Sequence, residues 1–308
     1  RFMPAYFTHY LFGRISRAGL REGRLKRLLL QYPEAYALGL AGPDIFFYFV
    51  PDQLLLKKTP GSILHEQACG AFLRRMLKET LRLEGREREI ASAYLAGFIG
   101  HYELDGACHP HVYAYVGEQA AKRGGASSHE MTGIHFQYEC AMDYYFLRRY
   151  AGRSASGLDQ RRLTKLDRQE RRVIACLVAA SYNKVYEQPN LTGRSMRAVL
   201  ASVRLVMGLV RDWDGRKEKR LRPMEKLLYG HCFLCGLFVN DSRYGIGREE
   251  WEKMDLLFRK GLGECRAVYA ALEEVLRCLP GDMAALQAAE KRFFRQLGSR
   301  SYHTGETV

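Results

Sequence analysis

Apolar and polar positions along this chain recur mostly at helical spacing. In residues 62–83, SILHEQACGAFLRRMLKETLRL, positions Leu64, Ala68, Ala71, Phe72, Met76 and Leu81 fall along one side, with the charges opposite. That pattern predicts one amphipathic helix. Residues 88–105, REIASAYLAGFIGHYELD, predict a second. Its middle, ASAYLAGFIG, is apolar on every side, as expected of a helix buried at the centre of a fold. Gly97 and Gly100 each lower helix propensity there by about 1 kcal/mol relative to alanine. Their presence predicts close approach of another helix or of a site. Residues 127–150, SSHEMTGIHFQYECAMDYYFLRRY, predict a third helix with Ser127 or Ser128 as its N-cap. Further helices are expected near 160–187, 194–213, 223–239, 249–278 and 282–297. Strand alternation and hairpin dipeptides are scarce. The expectation is an all-α protein of roughly eight to ten helices.

A chain of 308 residues, 47% hydrophobic and 27% charged, is long and apolar enough to bury a large core. Composition shifts near residue 151, at the Gly/Ser-rich stretch AGRSASGLD, and only two of the nine histidines follow it. Site-like residues therefore concentrate in residues 1–140, within a first part taken as residues 1–150. Residues 151–308 read as further helical packing, either continuing the first part or appended to it. The net charge of +14 favours anionic ligands such as lipid headgroups, nucleic acid or small phosphoesters. The longest apolar run near the front, IFFYFVPDQLLL, is broken by Pro51 and Asp52 and falls short of the about 20 residues that span a bilayer. The amino-terminal stretch lacks the pattern of a secretory signal. Of the eight cysteines only Cys232 and Cys235 form a CxxC pair, a weak metal or redox signal. Reduced, buried thiols are expected, which suits a cytoplasmic location.

The chemistry concentrates in FIGHYELDGACHPHVYAYV, residues 98–116, where His101, Asp105, His109 and His111 lie within eleven residues. On a helix, His101 and Asp105 share a face, four residues apart. His135 and Glu139 repeat that spacing on a different helix. One such pair is ordinarily a helix hydrogen bond; two, with histidines beside them, favour metal. Pro110 is expected to end the first helix near Gly106 and to set His109 and His111 on a rigid turn. His9 in YFTHYLFG, Asp44 in GPDIFFY and His65 in SILHEQACG extend the set. Nitrogen and oxygen donors without thiolate suit a catalytic zinc cluster, and this many donors suffice for two or three ions.

In order and context these pieces resemble the zinc-dependent phospholipase C family, whose all-α fold is shared with zinc-dependent single-strand nucleases. The pieces are THY with His9, GPDIFFY with Asp44, LHE with His65, HYELDGACHP with His101, Asp105 and His109, and HFQYE with His135 and Glu139; they span about residues 3–150. The resemblance implies a multi-helix orthogonal bundle with additional C-terminal helices, and a Zn2+-dependent phosphoester hydrolase. It also implies that His65, His101 and Asp105 hold one zinc, that a loop histidine, His135 and Glu139 hold a second, and that His9 and Asp105 serve a third. Asp44 would touch a metal or act as the catalytic base that orients water. Both His109 and His111 fit a family pattern, and the choice stays open at this level. Secreted members use their own amino terminus, typically a tryptophan, as a ligand; here no tryptophan is near the start, and a Pro4 amine is the available substitute. A phosphoester substrate follows, with phospholipid the leading class; a single-strand nuclease or nucleotidase is the alternative, placed second because the basic runs lie far from the candidate site in sequence, and a helical protein that binds metal without catalysis is the third reading. Phe46, Phe47, Tyr48 and Phe49 are read as core or, if the substrate is lipid, as contacts to acyl or choline groups.

Overall fold

The computed structural model describes residues 6–307 apart from 57, 154–157, 160, 162, 163, 188, 189, 210, 211, 213, 214, 230–245, 280 and 303. The CxxC cysteines and Pro4 lie outside the described residues. Among the described residues the chain is all-α, with thirteen α-helices, one 3-10 segment and a single isolated bridge between Arg300 and Thr307. The first helices are α1 (Tyr6–Ala18), α2 (Arg24–Gln31) and α3 (Pro33–Gly39). The 3-10 segment Gly42–Tyr48 follows, then α4 (Val50–Leu55), α5 (Pro60–Glu66) and α6 (Cys69–Arg82). Two long helices, α7 (Gly85–Lys122) and α8 (Ser128–Ala151), carry much of the predicted chemistry. The remainder comprises α9 (Arg168–Tyr182), α10 (Gly193–Leu209), α11 (Arg216–Tyr229), α12 (Arg248–Arg277) and α13 (Met283–Leu297). None of the described helices is long and apolar enough to cross a membrane.

The helix that is apolar on every side does form the centre. All residues of α7 from Ile90 to Asp105 are buried, and α1, α2, α3, α6, α8, α9 and α12 pack around it. One apolar core runs across residue 151: Phe146 of α8 stacks on Phe258 of α12 with ring centroids 4.4 Å apart, and Phe12 of α1 meets the same ring edge-on. Ser127 caps α8 through a capping box with Glu130. Of the six described cysteines, Cys69, Cys108, Cys140 and Cys265 are buried.

The thirteen described α-helices exceed the eight to ten expected, and the helices expected near 160–187 and 223–239 begin at Arg168 and Arg216; two further differences have a visible physical cause. Pro110 does not end α7, which continues to Lys122. A proline inside a helix removes one intrahelical donor; here the carbonyl it would have served is that of Gly106. Burial of Val112, Val116 and Ala120 beyond the proline favours continuing the helix. Gly305, at positive φ, lies over the proline: an added Cβ there would sit 3.0 Å from both the Gly106 oxygen and Pro110 Cγ. The second difference is the helix predicted over 62–83, which is two helices. Ala68 adopts a left-handed conformation (φ 48°) between α5 and α6, and the Gln67 carbonyl at the break accepts from the Tyr186 hydroxyl at 2.7 Å. No glycine or proline marks this break in sequence, because a contact from residue 186 helps hold it.

Gly97 has the predicted use. It lies against Gly39 at the end of α3, so closely that a Cβ on Gly97 would be 2.2 Å from the Tyr36 carbonyl oxygen and one on Gly39 would be 2.2 Å from that of Tyr94. Gly100 leaves room for Leu40 and the Tyr269 hydroxyl, each 2.9 Å from an added Cβ. Since α3 leads directly into the 3-10 segment, this backbone contact sets the height of Asp44 beside α7. Gly97→Ala is expected to lower stability by about 3 kcal/mol, because backbone cannot give way as a side chain can. Gly117→Ala, exposed on the same helix with nothing within 4 Å, is expected to raise it by about 0.5–1 kcal/mol. Denaturant unfolding of the two variants checks both signs.

Candidate metal centre

Eight of the nine residues singled out from the sequence converge at the centre of the fold. They form three groups, His9–His101–Asp105, Asp44–His65–His101 and His109–His135–Glu139, and within each the donor atoms lie within 4.8 Å of one another. His101 belongs to two groups, and Asp105 Oδ2 approaches His109 Nδ1 at 3.7 Å, linking the third. All eight residues are buried, His135 being the least enclosed at 7% exposure. The grouping differs in detail from the one the resemblance implies, for His65 stands with Asp44 as well as with His101.

Each element brings its residue for a local reason. On α7, His101, Asp105 and His109 succeed one another at four-residue spacing and so share a face; this works only because the helix does not end near Gly106. The same spacing on α8 brings His135 Nε2 to 3.1 Å from Glu139 Oε1. His9 arrives on α1, its ring stacked on that of His101 at 4.1 Å and 15°. Gly42, at φ +50°, leaves no room for a Cβ, which would sit 2.4 Å from the His101 ring. Glycine there both permits the left-handed turn and lets the backbone close onto the imidazole.

Hydrogen bonds fix the histidine tautomers. The Nδ1–H of His65 donates to the Gly61 carbonyl at 2.7 Å and that of His101 to the Leu40 carbonyl at 3.1 Å. A carbonyl can only accept, so in the neutral rings both Nε2 atoms carry lone pairs that face the carboxylates. His101 Nε2 lies 2.9 Å from Asp105 Oδ2, yet neither atom has a hydrogen-bond partner. Asp44 Oδ1, His109 Nδ1 and Glu139 Oε2 are likewise buried without one. Buried polar atoms are normally satisfied. Donor atoms that crowd together without bonding to one another are arranged for a shared third party, and nitrogen and oxygen donors without thiolate suit zinc in a catalytic setting.

Electrostatics agree. Burial would raise the Asp105 carboxyl, but His101, His109 and His9 outweigh it and hold the group well below the ordinary carboxylate range. Burial likewise opposes ionisation of Glu139, and His135 and His109 bring it down to about 2. For His109, burial disfavours the cation, but Asp105 and Glu139 raise its pKa to about 9. The centre therefore favours positive charge among its carboxylates.

His111 does not join the cluster, and the alternative that placed it inward is corrected. It lies two residues beyond His109, about 200° further round an ideal helix, and its Nε2 meets Glu250 of α12 at 2.7 Å. The rigid turn expected for both histidines is absent because α7 continues. Phe46, Phe47 and Tyr48 are at most 5% exposed and belong to the interior, with the Phe47 ring 5.3 Å from that of His65.

Two further residues shape the centre. Asp143 of α8 accepts from the backbone N–H and hydroxyl of Thr8, both at 2.7 Å, and from the Phe7 N–H at 3.3 Å. It thereby anchors the start of α1 one residue before His9. Burial pushes the Asp143 carboxyl up to about 7 despite these donors. Its four-residue spacing from Glu139 was a usable sequence signal. Tyr302 had none. It comes from the segment after α13, is 1% exposed, and packs its ring 5.0 Å from His65 and 5.7 Å from His101. Its N–H donates to the His65 carbonyl at 3.2 Å, while Arg300 beside it pairs with Glu103 at 2.5 Å and Glu264 at 3.0 Å.

A family profile described as zinc dependent phospholipase C matches residues 8–184, more than half of the chain. This chain belongs to the zinc-dependent phospholipase C family. The match contains all eight converging residues and continues past residue 151 to the end of α9. The all-α architecture is of the family's type, and at family level the chain is a zinc-dependent phosphoester hydrolase. No curated protein and no solved structure matches it significantly.

Asp143→Ala strips the partner from three buried donors and is expected to cost about 2–4 kcal/mol in denaturant unfolding. His109→Ala is expected to lower zinc content in elemental analysis, whereas His111→Ala leaves it unchanged.

Proposed function

We propose that this protein cleaves a phosphodiester in the manner of a phospholipase C, with two or three zinc ions held by the central cluster and a phospholipid as the leading substrate class. The observation that carries the reading is the set of buried, unbonded donor atoms of Asp44, His101, Asp105, His109 and Glu139, facing one another around shared positions. His109, His135 and Glu139 would hold one ion, and His9, His101 and Asp105 a second. Asp44 and His65, with His101 between the groups, would serve a third position. Zinc, when bound, supplies Lewis acidity toward phosphoryl oxygens and makes water reactive near neutral pH.

The remaining work falls to the chain. The carbonyls of Leu40 and Gly61 hold the rings of His101 and His65 in one tautomer and orientation. Asp105, between His9, His101 and His109, keeps its negative charge where cations are needed. Asp44 sits at the end of the cluster on the 3-10 segment, and we assign it the role of accepting the proton of the attacking water or orienting that water. Substrate reaches the cluster on the side of His135, where Tyr113 is 36% exposed with its ring 5.0 Å from the imidazole.

Protein purified without chelator is expected to contain two to three zinc ions per chain by elemental analysis and to hydrolyse members of a panel of phosphodiesters; a content below one ion would overturn the reading. Asp44→Asn is expected to lower kcat by about 10²–10⁴. Retained zinc in that variant would mark Asp44 as the base, and lost zinc would mark it as a ligand.

A further inference from the structure

On the outside of the molecule, α9 and α10 carry a concentration of charge that the central cluster does not use. Arg161, Arg168, Arg171, Arg197 and Arg204 line one open groove of about 690 Å³. Arg161 is matched by Asp159, and Arg171 Nε donates to the Asp167 carbonyl. Arg168, Arg171, Arg197 and Arg204 form no ion pair with a carboxylate among the described residues, although the chain elsewhere pairs its arginines readily along its helices. No acidic residue occurs anywhere in α10, GRSMRAVLASVRLVMGL.

The inner face of α10 is fully employed: Met196, Val199, Leu200, Val203 and Met207 are buried. Its outer face is not simply polar. Leu205 and Leu209, one turn apart at the same groove, are 65% and 59% exposed. Large aliphatic side chains left in water among unpaired guanidinium groups make a mixed surface, cationic and apolar at once.

We propose that this face docks the protein onto the surface of an anionic phospholipid membrane. Guanidinium groups pair with lipid phosphates in two-point fashion, while Leu205 and Leu209 enter the boundary between headgroups and acyl chains, as on interfacial amphipathic helices. Nucleic acid would satisfy the arginines equally. It would leave the leucines without a role, however, and single strands are ordinarily bound on aromatic platforms, of which the groove has none among its described residues. The inference rests on surface charge and exposed leucines, so it stands or falls separately from the hydrolytic reading.

The test is sedimentation of the full chain with vesicles of phosphatidylglycerol and of phosphatidylcholine at about 0.1 M salt. The unmodified protein is expected to partition onto the anionic vesicles and much less onto the zwitterionic ones. Arg197→Glu with Arg204→Glu should weaken that partitioning by about 30-fold or more, at about 1 kcal/mol per cation near the surface. Leu205→Ser with Leu209→Ser should weaken it by roughly tenfold. Each pair lies on the exposed face, so helicity, melting temperature, zinc content and hydrolysis of a soluble short-chain phosphodiester should be unchanged. The proposal is overturned if neither pair alters vesicle binding. It is equally overturned if the protein ignores vesicles but binds a single-stranded oligonucleotide that the arginine pair abolishes and the leucine pair does not. Loss of hydrolysis in the unmodified protein with vesicle binding intact would count against the hydrolytic reading alone.

Discussion

A carboxylate buried among imidazoles sets the terms for this fold. Asp105 is 2% exposed on the central helix, with nitrogens of His9, His101 and His109 between 2.9 and 3.7 Å away. An ionised group in such a place is costly unless positive charge surrounds it. Each neighbour is itself held by something further out: Leu40 for His101, Glu139 for His109, and α1 anchored by Asp143 for His9. The core is therefore arranged around a polar centre that its apolar layers enclose.

Backbone proximity makes the arrangement possible. Gly39 and Gly97 let α3 touch α7, and Gly42 then turns the chain over the His101 ring, so that Asp44 enters the same space as a residue almost sixty positions later. The far end of the chain closes the other side, with Tyr302 against His65 and His101, and Gly305 over the proline of α7. A centre built from both ends of the sequence gains order only when the whole fold is complete, which couples the cluster to global stability rather than to a local loop.

The basic, leucine-bearing face of α9 and α10 adds a second level of organisation. Those helices lean on the centre through α7 and the 3-10 segment, yet at their shared groove Arg168, Arg171, Arg197 and Arg204 form no ion pair with a carboxylate among the described residues. Chemistry in the interior and contact with an aggregate at the surface are thus assigned to different residues, and each can change without disturbing the other.

Much of this was legible in one dimension because it depends on local periodicity. The all-round apolar run of α7, the four-residue spacing of His101 with Asp105 and of His135 with Glu139, and the Ser127 cap are properties of a helix before it meets anything else. Gly97 announced a close contact, though not with what. The rest required the third dimension. The break at Ala68 accompanies a hydrogen bond from Tyr186, and α7 runs through Pro110 because burial beyond it outweighs a lost backbone bond. The choice of His109 over His111 follows from that continuity: on an unbroken helix only the residue four beyond Asp105 shares its face, and the other meets Glu250. Sequence determined which donors exist and which pairs share a helix face. Tertiary structure decided which faces meet, since that depends on contacts between residues tens to hundreds of positions apart.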